Sequence, residues 1–248
     1  MKRVFAYHIL PEQNHMKIGD FLVGKGYTRH IRTYLKQHPG SVLRNGEPAL
    51  FYQLLETGDS LTVCLIDELP SEKIKPVPFP IHIVYEDKDI LIVNKPADMP
   101  IHPSIGNYEN TLANGIAWYY NSQNISFVYR CINRLDRDTT GLLIIAKNML
   151  SGAVLSGQMK TREIHRTYLA IVEGLTPESG TISAPIGRVS DSVIERKIDE
   201  EHGDPAVTHY RRLAYCEGKK FAGITDDTGI LTKGASLVQL RLETGRTH

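Results

Sequence analysis

The segment Asn133-Arg134-Leu135-Asp136-Arg137-Asp138-Thr139-Thr140-Gly141 sets two arginines and two aspartates directly against the apolar run Leu142-Leu143-Ile144-Ile145-Ala146. In an extended segment, residues two apart share a face. Arg134 and Asp136 are therefore expected on one side and Leu135 on the other. A neighbouring cation favours the ionised carboxylate. An ionised, fixed aspartate is the form needed to attack a sugar carbon or to stabilise charge there. The structural alternative for Asp136 is a local ion pair, since charge clusters at strand ends are common. Asp138 fits a structural role better, because its side chain can organise the turn through Thr139 and Thr140 into Gly141.

Other chemistries find little support. The sequence has no Walker loop, no dinucleotide-binding glycine fingerprint, no HExxH and no GxSxG. The ten histidines are scattered without ligand spacing; His102, in Met-Pro-Ile-His-Pro-Ser, is the most suggestive, and a lone loop histidine is more often structural. No metal, nucleotide or redox cofactor is expected. A glycosidase needs one carboxyl as acid, and the arginines flanking Asp136 and Asp138 would hold both ionised. Cys64, Cys131 and Cys216 lie far apart and are odd in number, so they are expected as buried small hydrophobes rather than a disulfide framework.

The chain that must position these residues has 248 residues, 41% hydrophobic and 23% charged, with a formal net charge of +1. That composition supports a globular core. The start is too short and too polar for a secretory signal, and no apolar run approaches the ~18 residues of a membrane span. A cytoplasmic protein is expected. The proline-rich stretch 67–80 (Pro70, Pro76, Pro78, Pro80) reads as an extended connector between residues 1–66 and 81–248.

In the first part, the spacing predicts a helix through Ile18, Phe21 and Leu22 and a second over Arg29–Gln37 with Thr28 as its N-cap. Arg44-Asn45-Gly46 reads as a turn and residues 58–66 as a strand. In the second part, strands are expected at 81–86, 89–95, 166–174, 207–215 and 236–243. The run from Gly141 reads as a buried strand, and 111–120 and 149–160 as helices. This is an α+β pattern around a mixed, largely antiparallel sheet, preceded by a small α/β domain.

The first part is also where charge is asymmetric. From residue 21 to 46 there is no Asp or Glu, but there are Lys25, Arg29, Arg32, Lys36 and Arg44. Arg29, Arg32 and Lys36 fall on one side of a helix. Such a stripe is either a solvated face or a phosphate-binding one, since clustered cations displace the counterions around RNA.

Taken together, these motifs resemble the RluA/RluD-type RNA pseudouridine synthases, which isomerise chosen uridines in structured RNA. The family pattern HRLDxxTSGLLLxAK appears here as NRLDRDTTGLLIIAK, with Asn133 and Thr140 replacing the usual His and Ser. Upstream, EDKDILIVNKPADMPIHP matches EDxxLxVxxKPxGxxxHP, with Asp98 where a glycine is common. Downstream, Arg166, Tyr168, Ala170, Val172 and Gly174 match K-x-Y-x-A-x-V-x-G, with arginine for the usual lysine. The closing ETGRTH matches the start of TGRTHQIR. Residues 1–66 resemble the small RNA-binding domain named after a ribosomal protein of the small subunit, the S-four fold.

The resemblance implies that Asp136 is catalytic, acting on the ribose anomeric carbon or through a glycal. Tyr168 would stack on the flipped uracil and take part in proton transfer. Arg134 would fill the space the base vacates, and Arg166 would contact substrate. Lys25, Arg29, Arg32, Lys36 and Arg44 would bind RNA. No cofactor is implied. Structured RNA is the implied partner, ribosomal before transfer RNA, for a monomeric enzyme. The arginine that the family places after TGRTHQI is the expected partner of the catalytic aspartate, so 81–248 is expected to be a C-terminally incomplete catalytic domain. The competing expectation is a non-catalytic RNA-binding or ribosome-assembly protein.

Overall fold

The computed structural model describes residues 1–67, 74–189, 195–218 and 233–244. Two compact units divide the chain, Met1–Lys160 and Thr161–His248. Every strand pairing in the described sheets is antiparallel. The fold is α+β, as the alternating strand patterns and short connections imply.

The first unit opens with β1 (Lys2–His8), followed by α1 (Ile18–Gly24), α2 (Arg29–Gln37), β2 (Val42–Arg44), β3 (Glu47–Pro48) and β4 (Ser60–Ile66). The strands form a sheet in the order β1-β4-β2-β3. β1 alternates exposed and half-buried residues and pairs along its whole length with β4, from Lys2 against Ile66 to His8 against Ser60. The sequence alone does not announce this strand, because its partner β4 lies more than 50 residues away. Thr28 caps α2 as expected, its hydroxyl accepting from the Ile31 amide. Asn45 and Gly46 both take positive φ, 52° and 88°, the geometry a two-residue hairpin needs. Ile18, Leu22, Ile31, Leu35, Leu61 and Val63 centre an apolar core.

The same unit continues with β5 (His82–Glu86), β6 (Ile90–Lys95), α3 (Leu112–Asn121), β7 (Gly141–Ala146) and α4 (Met149–Lys160), with sheet order β5-β6-β7. Residues 74–80 of the proline-rich stretch run without regular structure along α3; 68–73 lie outside the described residues. A Cβ on Gly115 would meet the Phe79 ring at 2.4 Å, so only glycine lets that segment lie against the helix. A second core gathers Leu91, Val93, Leu112, Ile116, Leu143 and Ile145. The run from Gly141 is buried on one face only: Leu143 and Ile145 are buried while Leu142 is 57% exposed. The expectation of a buried strand holds for one face only, because an antiparallel sheet covered on one side alternates.

Within this unit the two cores are tied together. Leu150 of α4 belongs to the first core, and Val154 closes on the α1–α2 turn at Gly26. Arg3 makes a bidentate pair with Asp89 at 2.7 Å on both arms, and Arg130 another with Asp67. The Arg3 guanidinium holds the Asp89 carboxyl below its ordinary range, against the opposing effect of burial.

The second unit carries β8 (Thr167–Glu173), β9 (Ser179–Ser183), β10 (Ile186–Arg188), β11 (Arg196–Ile198), β12 (Val207–Cys216) and β13 (Ala235–Leu242). Its main sheet runs β8-β13-β12-β9, and β10 pairs with β11. Cys64 and Cys131 are half-buried, but Cys216 is exposed, which corrects its reading as a core residue; all three are free thiols. Cys216 is the last residue of β12.

One residue at the end of β6 sets the geometry of the loops around the Asp136 segment. Lys95 is fully buried, and its Nζ donates to the carbonyls of Pro96 at 2.9 Å, Met99 at 3.0 Å and Arg137 at 2.7 Å. Burial lowers its pKa, and the charges of Asp138 and Asp136 act in the opposite direction. Removing this donor takes the ammonium from the Pro96 and Met99 carbonyls and leaves the Arg137 carbonyl with the Met99 amide. Lys95→Met is therefore expected to lower the unfolding free energy of the first unit by about 2–4 kcal/mol. Urea titration followed by circular dichroism measures it, and an unchanged midpoint would show that those carbonyls find other donors.

Candidate active site

The loop between Asn133 and Gly141 is held at its entry, middle and exit. At the entry, the Asn133 side chain donates from Nδ2 to the Leu142 carbonyl at 3.0 Å and accepts at Oδ1 from the Ile144 amide at 2.9 Å. It acts as an extra rung against β7, continuing the pairing of Ile132 with Ile144 and Cys131 with Ile145. In the middle, the Arg137 carbonyl receives both Lys95 Nζ and, at 3.1 Å, the Met99 amide. At the exit, Gly141 takes φ 127°, a backbone region that disfavours any side chain.

The side chains alternate as the sequence implies. Leu135 packs against the second core, while Arg134 and Asp136 on either side of it are exposed. No ion pair joins them, so the local-pair reading of Asp136 does not hold among the described residues. The Asp136 carboxylate has no hydrogen-bond partner among the described residues. Its backbone carbonyl closes the turn by accepting from the Thr139 amide at 3.2 Å. That bond, rather than an Asp138 side-chain contact, organises the bend, which corrects the turn role assigned to Asp138.

Around this loop, the His102 ring stands edge-on to Tyr129 at 5.1 Å. Burial lowers the His102 pKa, and the Arg134 charge adds to that effect. The Tyr129 hydroxyl donates to the Ile101 carbonyl. Burial pushes the Cys131 thiol up to about 11, so it is inert as a nucleophile at neutral pH. Arg137, to which the sequence assigns no role, donates from Nε to Asp98 Oδ1 at 2.6 Å. No group of three or more His, Cys, Asp or Glu among the described residues is arranged to hold a metal.

Tyr168 and Arg166 belong to the second unit. Tyr168 lies on β8, opposite Leu240 of β13, which faces Tyr210 of β12. The three side chains form a row on one sheet face. An apolar groove of about 370 Å³ lined by Ile182, Ala206, Leu240 and Leu242 continues that face. Arg166 is half-buried just before the strand. Of the closing motif, Glu243 and Thr244 are described: Glu243 pairs with His209 Nε2 at 2.5 Å, and Thr244 Oγ1 accepts from the Val207 amide at 3.1 Å. Residues 245–248 lie outside the described residues.

The basic residues of the first 46 positions separate by environment. Arg29 and Lys36 are exposed on α2 and Arg32 is half-buried beside them. Lys36 lies over the Phe51 ring, and Lys25 over Tyr7 and Phe21. Arg44 is engaged by Asp59 at 2.6 Å and by Glu56 at 3.4 Å.

The residues that sequence reasoning missed are Lys95 and Asn133. Neither carries a signal of its role, since their partners are backbone groups.

Comparison with known proteins places this geometry. The uncharacterized RNA pseudouridine synthase YjbO of Bacillus subtilis (strain 168) is 33% identical over 234 residues, covering 94% of this chain and 77% of that protein. The ribosomal large subunit pseudouridine synthase D of Zymomonas mobilis is 39% identical over 181 residues, covering 70% of this chain and 51% of that protein. The same-named protein of Escherichia coli (strain K12) is 38% identical over 178 residues. The chain thus spans about half the length of those two ribosomal synthases, 51% and 49%. Among solved structures, human RNA pseudouridylate synthase domain containing 1 superposes with a TM-score of 0.53 at 27% identity, over 71% of this chain and 64% of that one. The sequence profile of the RNA pseudouridylate synthases matches residues 89–248, which hold the loop of Asp136, the strand of Tyr168 and the closing motif. This chain belongs to the RNA pseudouridylate synthase family.

Proposed function

We propose that this chain isomerises uridine to pseudouridine in structured RNA, ribosomal RNA in preference to transfer RNA, in the cytoplasm, with Asp136 as the catalytic group. The observation that carries the reading is an exposed carboxylate with no partner among the described residues, on a loop fixed by Asn133, Lys95 and Gly141. Asp89 and Asp67, which brace the fold, each have a cation beside them. The ribosomal preference comes from the names of the relatives and from the basic first domain.

On this reading the Asp136 carboxylate attacks the ribose anomeric carbon or assists formation of a glycal. The bond from that carbon to uracil N1 breaks, the base rotates, and a bond to C5 forms. N1 gains a proton and C5 loses one, so nothing is oxidised, reduced or hydrolysed. The target base must leave its stack, at a cost of a few kcal/mol. The exposed Arg134 is suited to fill the space left behind. The half-buried Tyr168 ring supplies an aromatic face for stacking and a hydroxyl for proton transfer, and Arg166 lies two residues from it. Arg29, Arg32 and Lys36, with Lys25, form the phosphate-binding face. Arg44 instead braces the hairpin through Asp59.

Two outcomes test this. RNA tritiated at uracil C5 is expected to release tritium with the wild-type protein, and Asp136→Asn is expected to slow release at least about 1,000-fold. Equal release by both proteins would exclude Asp136. Changing Arg29 and Arg32 to Glu is expected to weaken RNA binding and to flatten the slope of log affinity against log salt by about one to two. An unchanged slope would remove the α2 face from the interface.

A further inference from the structure

Asp98 is out of place on electrostatic grounds. The loop 134–138 already balances two arginines with two aspartates. A fifth charge, negative, is brought against it from the turn after Lys95. That turn supplies the Met99 amide which, together with Lys95 Nζ, donates to the Arg137 carbonyl. Asp98 adopts φ 57°, the left-handed region that favours glycine, and glycine is common at this position in the resembling family. A carboxylate here works against the approach of any polyanion to Asp136. Its one direct side-chain contact among the described residues is with Arg137, whose Nε and Nη2 both reach Oδ1.

We propose that Arg137 is a phosphate-contacting residue for RNA and that Asp98 occupies its guanidinium until RNA displaces it, so that Asp98 tunes RNA affinity beside the catalytic loop. The inference rests on the RNA-modifying function proposed above. Both side chains are more than half exposed, at 54% for Arg137 and 74% for Asp98. An exposed pair of this kind is weak and screened, so a phosphate can exchange for the carboxylate. The fork of the guanidinium suits either partner. The Arg137 backbone is fixed by Lys95 and Met99, so the exchange moves the side chain and leaves the Asp136 loop in place. Phosphate held there would lie at the residue next to Asp136 in the chain.

Asp98→Asn isolates the charge, because asparagine also tolerates left-handed backbone. The test measures binding of the full chain to an unmodified transcript of large-subunit ribosomal RNA across a salt series. Wild type, Asp98→Asn, Arg137→Ala and the double variant are compared, with pseudouridine formation by the wild type followed in parallel. Asp98→Asn is expected to tighten binding about threefold at low salt and to steepen the salt slope by up to about 0.9, the share of one freed cation. In the Arg137→Ala background it is expected to change neither. An equal effect in both backgrounds, or no effect in either while the wild type makes pseudouridine, would overturn this inference and leave the proposed function standing. A wild type that neither binds the transcript nor modifies it would overturn both.

Discussion

The side chain of Lys95 ends where no solvent reaches it, among the carbonyl oxygens of Pro96, Met99 and Arg137. An ammonium has three protons to donate, and here each has a fixed acceptor. The arrangement links the end of β6 to two loops that no regular hydrogen-bond ladder joins. An isolated buried charge is costly, and burial accordingly lowers the Lys95 pKa. The carbonyl dipoles offset that cost only if both loops stay where they are. The position of Asp136, one residue before a clamped carbonyl, is a consequence of that condition.

The same reasoning divides the carboxylates of the first unit. Asp59 is buried and meets Arg44, Asn45 and the Glu56 amide; burial raises its pKa, and those partners outweigh it. Glu86 is likewise opposed by burial and held ionised by Lys147, Tyr119 and Tyr120. Those acids stabilise the fold and are saturated with donors. Asp136 is exposed and has none among the described residues. Backbone contacts fix the loop and leave the carboxylate available, which is the condition for reacting with something that is not part of the protein.

How much is legible in the sequence depends on where the information sits. α2 is readable because its apolar spacing and its Thr28 cap are local, and the structure reproduces both. The alternation of Arg134, Leu135 and Asp136 is readable for the same reason. β1 is not, although Lys2–His8 alternates: its partner β4 is more than 50 residues away, and nothing local points to that pairing. The one-sided burial of Leu142-Leu143-Ile144-Ile145 escapes because an apolar run does not show which face a sheet covers. Lys95 and Asn133 escape because their partners are main-chain atoms, which every residue has. The family resemblance places them inside motifs without saying what they hold.

Amide hydrogen exchange of the full chain tests the Lys95 clamp most directly. In the wild type, the amides of Met99 and Thr139, which donate to the Arg137 and Asp136 carbonyls, are expected to be protected. In Lys95→Met both are expected to exchange at least about tenfold faster, while amides of β4, remote from the clamp, keep their protection. Unchanged protection at Met99 and Thr139 in the folded variant would contradict the claim that this one ammonium holds the loop of Asp136.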